Sequence, residues 1–253
     1  VGPRIATASP RRCPRVCSRC CASAIRILPS HVARPPRHRR LDARVARGRS
    51  RPWRAAVSGS GRRGSIPTGS PAALLRAAQS QLPPGVTLEV ATLHGIPLYD
   101  GDLEAREGVP AAVTSLKDRI AASDGVLLAT PEYNNGIPGV FKNAIDWLSR
   151  PPADAARVFR DRPFAVIGAS PGGFGTILAQ SAWLPVLRTL GARFWSGGRL
   201  MVSRAGQVFD AEGALADPKL GEQLGQFLAG FVAFARAAPT ALERWHAIVT
   251  SRD

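Results

Sequence analysis

Thr130 to Arg150 reads TPEYNNGIPGVFKNAIDWLSR, and the fold follows from this stretch and its flanks. Directly before it, Gly125-Val-Leu-Leu-Ala129 is an apolar run too short for a buried helix and bounded by Asp124-Gly125 and Pro131. It predicts a buried parallel strand ending at Thr130. From Pro138 onward, Val140, Phe141, Ala144, Ile145 and Leu148 recur at helical spacing, while Lys142 and Asp146 stand i,i+4 on another face. Strand, polar loop and helix in that order place the loop Pro131 to Gly136 at the carboxyl end of a strand. That is the edge at which open α/β sheets bind their ligands.

The same alternation continues on both sides. Upstream, Arg54-Ala-Ala-Val57 is a shortened first strand, and it runs into Ser58-Gly-Ser-Gly-Arg-Arg-Gly-Ser65. Such a loop reads either as a flexible linker or as a phosphate cradle, in which glycine amides, serine hydroxyls and Arg62 meet an anion near a helix N-terminus. Ser70-Pro71 is an N-cap and N1 pair for a helix to Gln81, so Ser65, Thr68 and Ser70 are alternatives for one phosphate contact. Val86 to Ala91 alternates and is β-branched, as a second strand does. His94, in the loop that follows, has no evident partner and reads as solvated. Asp100 to Gly108 reads as an acidic, turn-rich connection, and Val113, Leu116 and Ile120 mark the next helix.

Downstream, Phe164 to Ser170 is another buried strand, followed by Ser170-Pro-Gly-Gly-Phe-Gly175. By itself this loop is a plain strand-to-helix turn. A helix over 176–190, a strand over Arg193 to Ser203, a helix over Pro218 to Ala237 and a last helical piece over Thr240 to Val249 complete the pattern. In the helix from Pro218, Leu220, Leu224, Phe227, Leu228, Phe231 and Val232 form the face expected to be buried.

PEYN (residues 131–134), Pro138-Gly139 and KNAIDWLSR (residues 142–150) together resemble the signature of the NADPH-dependent FMN reductase family, the flavodoxin-like quinone, chromate and azo-dye reductases. The resemblance spans roughly residues 55 to 240. It implies an α/β, flavodoxin-like, three-layer doubly wound parallel sheet of order 2-1-3-4-5 and an oxidoreductase with FMN and NADPH as cofactors. Electrons would pass from NADPH through FMN to a quinone, chromate, an azo compound or free flavin in a ping-pong sequence. It implies that Ser58, Ser60, Arg62 and Ser65 hold the FMN phosphate. The flavin ring would lie against Pro131, Glu132, Tyr133 and Asn134 and against Ser170, Gly172 and Gly173. No side chain need be a catalyst of covalent or proton-transfer chemistry. The helix 138–149 would pack on its twin in a homodimer or homotetramer, and Asn143, Asp146 and Trp147 are expected on its exposed side. This chain departs from the family pattern in the extra residues between Ser65 and Leu74.

Charge divides the chain. Residues 1–54 hold fifteen Arg and one acid, Asp42, for a net +14, whereas 55–253 hold nineteen basic and seventeen acidic side chains, for +2. The first segment, rich in Arg and Pro and without hydrophobic period, is expected to be a disordered extension; the second is the FMN-binding domain. Three readings of the extension stay open: an upstream-start or frame-slip artefact, an Arg-rich transit peptide, and a basic arm for anionic polymers. Cys13, Cys17, Cys20 and Cys21 all lie in it, with spacing that matches no zinc site. A body free of cysteine fits a reducing compartment, and a cytoplasmic location is expected. The longest apolar stretch, Phe227 to Ala235, is too short to span a bilayer, and no aromatic interleaving favours nucleic acid. A flavodoxin-type electron carrier is the rival reading. Such carriers present acidic docking surfaces, and this slightly basic body favours the enzyme.

Overall fold

The five residues Val126–Thr130 form strand β3, and all five are buried, as a strand covered by helices on both faces must be. The computed structural model describes residues 71–210 and 214–237, together with the backbone of Ala56–Ser58. β1 (Ala56–Ser58) lies parallel to β3 on one side, with Ser58 opposite Ala129. β4 (Pro163–Ala169), also buried throughout, lies parallel on the other, with Thr130 opposite Gly168. β2 (Val90–Ala91) borders β1, and β5 (Arg193–Phe194) and β6 (Leu200–Val202) both border β4, all in parallel. The order is therefore 2-1-3-4-5, with the fifth strand in two pieces.

Helices cover both faces. On one, α1 (Pro71–Ser80) and α7 (Pro218–Arg236) pack against alternate residues of β3 and β4, Leu127, Ala129, Ala165 and Ile167. The expected face of α7, from Leu220 to Val232, is the buried one. On the other lie α3 (Ala111–Ala121), α4 (Gly139–Leu148), α5 (Pro152–Phe159) and α6 (Ile177–Thr189), against Val126, Leu128, Phe164 and Val166. The alternation of neighbours along each central strand is the period-2 geometry of a sheet with two apolar faces.

Several local expectations are corrected. Asp100 to Gly108 is not a connection of turns but helix α2 (Gly101–Glu107), capped by the Asp100 carboxylate, which accepts from the N–H groups of Asp102 and Leu103. It buries no side chain, so it carries no hydrophobic period to read. Helix α5, started by Pro152 in its first turn, was not expected either. The second strand shrinks from 86–91 to two residues. The fifth is interrupted because Trp195 turns away to α7, edge-on to Phe227 at 4.6 Å, over Gly197 and Gly198.

Trp147 is corrected as well. It is fully buried within its own chain rather than exposed on α4. The loop before α2 folds over this side of the helix: the Trp147 indole N–H donates to the Pro97 carbonyl at 3.0 Å, and the ring meets Tyr99 edge-on at 5.0 Å. Asn143 is drawn into the same contact, donating to Pro97 O and accepting from Tyr99 N–H at 2.8 Å. Lys142 and Asp146 do pair at 2.6 Å. The segment expected to form a helix over Thr240 to Val249 lies outside the described residues, as do residues 1–54.

Candidate functional site

The loop after β3 is a two-residue hairpin turn. Tyr133 and Gly136 exchange both backbone hydrogen bonds, at 3.1 and 3.0 Å, and the residues between them, Asn134 and Asn135, sit at φ 48° and 60°. Positive φ at both central positions is what a type I′ turn demands, and Asn tolerates it better than other non-glycine residues. The turn uses the Tyr133 amide for itself. It leaves the N–H groups of Glu132, Asn134 and Asn135 without partners among the described residues. Pro131 is buried beneath the turn, and the Thr130 hydroxyl donates to its carbonyl at 2.7 Å.

The Glu132 side chain reaches across to the helix that follows the next loop. Its Oε2 accepts from the N–H groups of Leu178 and Ala179, at 2.8 and 2.9 Å, in the first turn of α6. Thr176, at the N-cap of α6, makes no side-chain capping bond. The helix end is thus satisfied by a carboxylate 46 residues earlier, at the positive pole of the helix dipole. The spacing of 132 and 178 gives no sequence signal for this. Glu132 can therefore offer a ligand its backbone, while its carboxylate is committed to α6.

Close approach explains why β4 carries glycine opposite Thr130. A Cβ at Gly168 would lie 2.1 Å from the Thr176 hydroxyl and 2.6 Å from the Thr130 carbonyl, which no neighbour can relieve without moving backbone. Beyond it, Ser170 is buried and held on both sides. Its N–H donates to Val202 O, and its carbonyl accepts from Ala205 N–H at 3.1 Å. Its hydroxyl accepts from the Gly172 N–H at 3.3 Å, inside its own turn. The Gly172 carbonyl takes the Arg204 N–H at 3.1 Å. The N–H groups of Gly173 and Phe174 have no partner among the described residues.

Pro131, Glu132, Tyr133, Asn134, Ser170, Gly172 and Gly173 thus lie on the carboxyl edge of two adjacent strands, and Glu132 ties the first of the two loops to α6, which follows the second. Side chains flank the free donors: Phe174 is 87% exposed and Tyr133 58%. The arrangement offers flat apolar surface beside backbone N–H groups directed at no protein acceptor, which suits a planar ring that gathers negative charge at its edge. Ser58 ends β1 on the same edge; its side chain, and Ser60, Arg62, Ser65, Thr68 and Ser70, lie outside the described residues. His94 is not solvated as expected. Both ring nitrogens are buried and have no hydrogen-bond partner among the described residues. Nearby, the Tyr99 hydroxyl donates to Glu104 at 2.9 Å, which Arg150 Nε also meets at 3.0 Å. That hydrogen bond to Glu104 holds the Tyr99 hydroxyl above its ordinary pKa, and burial adds to it.

The sequence of residues 55–207 matches the family model described as NADPH-dependent FMN reductase. Over 172 residues the chain is 43% identical to an NAD(P)H-dependent FMN reductase of Pseudomonas aeruginosa, covering 68% of this chain and 89% of the relative. It is 36% identical over 186 residues to a probable NADPH:quinone oxidoreductase of rice, Oryza sativa subsp. japonica, covering 72% and 87%. Among solved structures, the flavoenzyme NAD(P)H:(acceptor) oxidoreductase FerB of Paracoccus denitrificans is similar, with 35% identity and a TM-score of 0.62, covering 73% of this chain and 97% of that one. Fold and sequence agree, and the chain belongs to the NADPH-dependent FMN reductase family, as an oxidoreductase with FMN and NADPH as its cofactors.

Proposed function

We propose that this protein carries electrons from NADPH to quinones by a ping-pong sequence, donor and acceptor using one face of the site in turn, with chromate, azo compounds and free flavin as further acceptors. The observation that carries the reading is the set of N–H groups at Glu132, Asn134, Asn135, Gly173 and Phe174 that have no partner among the described residues, on two loops of one sheet edge, the first of them tied by Glu132 to the start of α6. FMN, when bound, supplies the hydride-accepting and electron-passing chemistry. The protein's part is binding and electrostatics. N–H donors fixed before the reaction stabilise negative charge without reorganising, each hydrogen bond to a charged group contributing about 1.5–3 kcal/mol. Tyr133 and Phe174 give the planar ligand apolar contact. Ser58, Ser60, Arg62 and Ser65 hold the phosphate, and Pro131, Glu132, Tyr133, Asn134, Ser170, Gly172 and Gly173 border the ring.

In the same reading, residues 55–253 are the reductase domain and 1–54 an extension outside its chemistry, and the protein works in the cytoplasm. Among the described residues no helix is long and apolar enough to cross a membrane. The enzyme is a homodimer or homotetramer through the helix 138–149. Trp147 does not supply that contact; Val140, 51% exposed on the same helix, offers apolar surface for it.

The test is initial-rate kinetics on FMN-loaded protein with NADPH and a benzoquinone. Parallel double-reciprocal lines, and anaerobic bleaching of the flavin absorbance by NADPH before any quinone is added, are expected. Intersecting lines would replace the shared face with two separate sites.

A further inference from the structure

We propose that Arg204 is a specificity-determining residue of this enzyme, binding the 2′-phosphate that distinguishes NADPH from NADH; the proposal rests on the reading that FMN lies on the edge formed by β1, β3 and β4. The described loops on that edge span residues 92–100, 131–138, 170–176 and 203–210. Across all four, Arg204 is the only Lys or Arg. Its side chain is exposed and enters no hydrogen bond or ion pair among the described residues. Its position is built rather than incidental. The backbone stands in the left-handed region, at φ 47° and ψ 45°, which is unfavourable for a long side chain. It is held there by two cross-loop hydrogen bonds, Arg204 N–H to Gly172 O and Ala205 N–H to Ser170 O, both 3.1 Å. Arg204 therefore moves with the very loop that offers the free N–H groups of Gly173 and Phe174.

The division of charge along the edge names the ligand. On the proposed function the FMN phosphate takes its own cation from Arg62, which follows β1 in the sequence. Arg204 follows β6, three strands away through β3 and β4. At a strand spacing of about 4.8 Å, that separation is about 14 Å, the other end of a flavin that spans the edge. A nucleotide donor brings three further phosphates, and an unpaired guanidinium at the end away from the FMN phosphate can meet one of them with paired hydrogen bonds. The anion that a dedicated single cation can use for discrimination is the 2′-phosphate, because both nucleotides share the pyrophosphate. Arg199 is the internal comparison. It is also exposed, but lies at the start of β6, level with mid-strand β4, in a groove with Leu184 and Phe194 away from the edge.

The experiment uses FMN-loaded full-length protein and the variants Arg204→Gly, Arg204→Lys and Arg199→Ala. Gly removes the charge while relaxing the left-handed backbone, so loss through misfolding is not built in. Titration calorimetry with 2′,5′-ADP and with 5′-AMP, without turnover, reads the subsite directly. Arg204→Gly is expected to weaken 2′,5′-ADP about tenfold or more, the effect of a charge-assisted pair, with 5′-AMP changed much less. Arg204→Lys should recover part of the loss, and the ratio of kcat/KM for NADPH over NADH should fall in step. Arg199→Ala should leave both unchanged. Equal weakening of both nucleotides, or an unaltered ratio in Arg204→Gly, would overturn the assignment while the enzyme stayed flavin-loaded and active. A wild-type protein that takes up no FMN would instead defeat the reading beneath it.

Discussion

Among the described residues Lys117 is the charged side chain that is buried, 1% exposed, and its surroundings make a quantitative prediction about the support of α4. Its ammonium donates to the Arg150 carbonyl just after α4 and to Asp154 Oδ2 at 3.0 Å in α5. Asp154 is held in turn by Arg157, which also reaches Asp118 on α3 at 2.7 Å. The two ends of the pair are not equivalent. Removing Asp154 strands a buried ammonium, a change that costs about 3–5 kcal/mol when the charge is fully enclosed. Asp154 keeps 29% of its side chain exposed, so water can replace part of it, and about 2–3 kcal/mol is expected for Asp154→Ala. Lys117→Met instead fills the same space with an apolar chain and leaves Asp154 paired with Arg157, so a loss of about 1 kcal/mol or less is expected. The pH profile gives a second reading. Hydrogen bonds from Arg157 and then Lys117 lower the Asp154 pKa from 3.8 to about 2. A depressed folded-state pKa means the contribution is complete above the unfolded value of 3.8 and is lost as pH falls through about 2. Its ceiling is about 2.4 kcal/mol before the discount for exposure. Urea unfolding between pH 2.5 and 7 measures both effects. If Asp154→Ala proved no more damaging than Lys117→Met, or Asp154→Asn kept the wild-type loss of stability below pH 4, the reasoning would be refuted.

Three other substitutions address the site and its support. Glu132→Ala should release the loop after β3 from α6 and weaken FMN about tenfold through the ordering that binding must then supply, on the order of 1–2 kcal/mol; unchanged affinity in a flavin-fluorescence titration would separate the cap from the site. Trp147→Ala should lower unfolding stability by about 3–5 kcal/mol, the range for truncating a buried aromatic, by denaturant titration. A variant of wild-type stability would restore an exposed role for Trp147. Arg62→Ala should weaken FMN by about 1.5–3 kcal/mol, and an undiminished affinity would remove Arg62 from the phosphate site.

What could be read in the sequence was what depends on burial over several residues. The runs around Val126 and Phe164 are buried throughout, and the α7 face from Leu220 to Val232 is the inner one. The strands follow from short unbroken apolar runs and the helix face from periodicity, both of which average over many contacts. The polar loop after β3 was also visible, though not the hairpin at Asn134-Asn135 within it. Features that depend on one partner far along the chain were not. The periodicity of α4 cannot show that Pro97 and Tyr99 cover Trp147, because the cover comes from 50 residues earlier. Nor does any local pattern reveal that Glu132 caps α6, or that Trp195 leaves the fifth strand for α7. Helix α2 escaped notice for the opposite reason: it touches the core with no buried side chain, leaving only the cap at Asp100 as a signal.

The margins of the sheet have a further consequence, for the behaviour of the protein at high concentration. One margin is a strand of two residues, and the other is split into pieces of two and three by the excursion of Trp195. Unpaired N–H and C=O groups on a long, flat outer strand are a template on which another chain can add itself. Here neither margin offers more than three consecutive residues, so the interruption that spoils the regularity of the fifth strand also denies a second molecule a continuous ladder along which to aggregate.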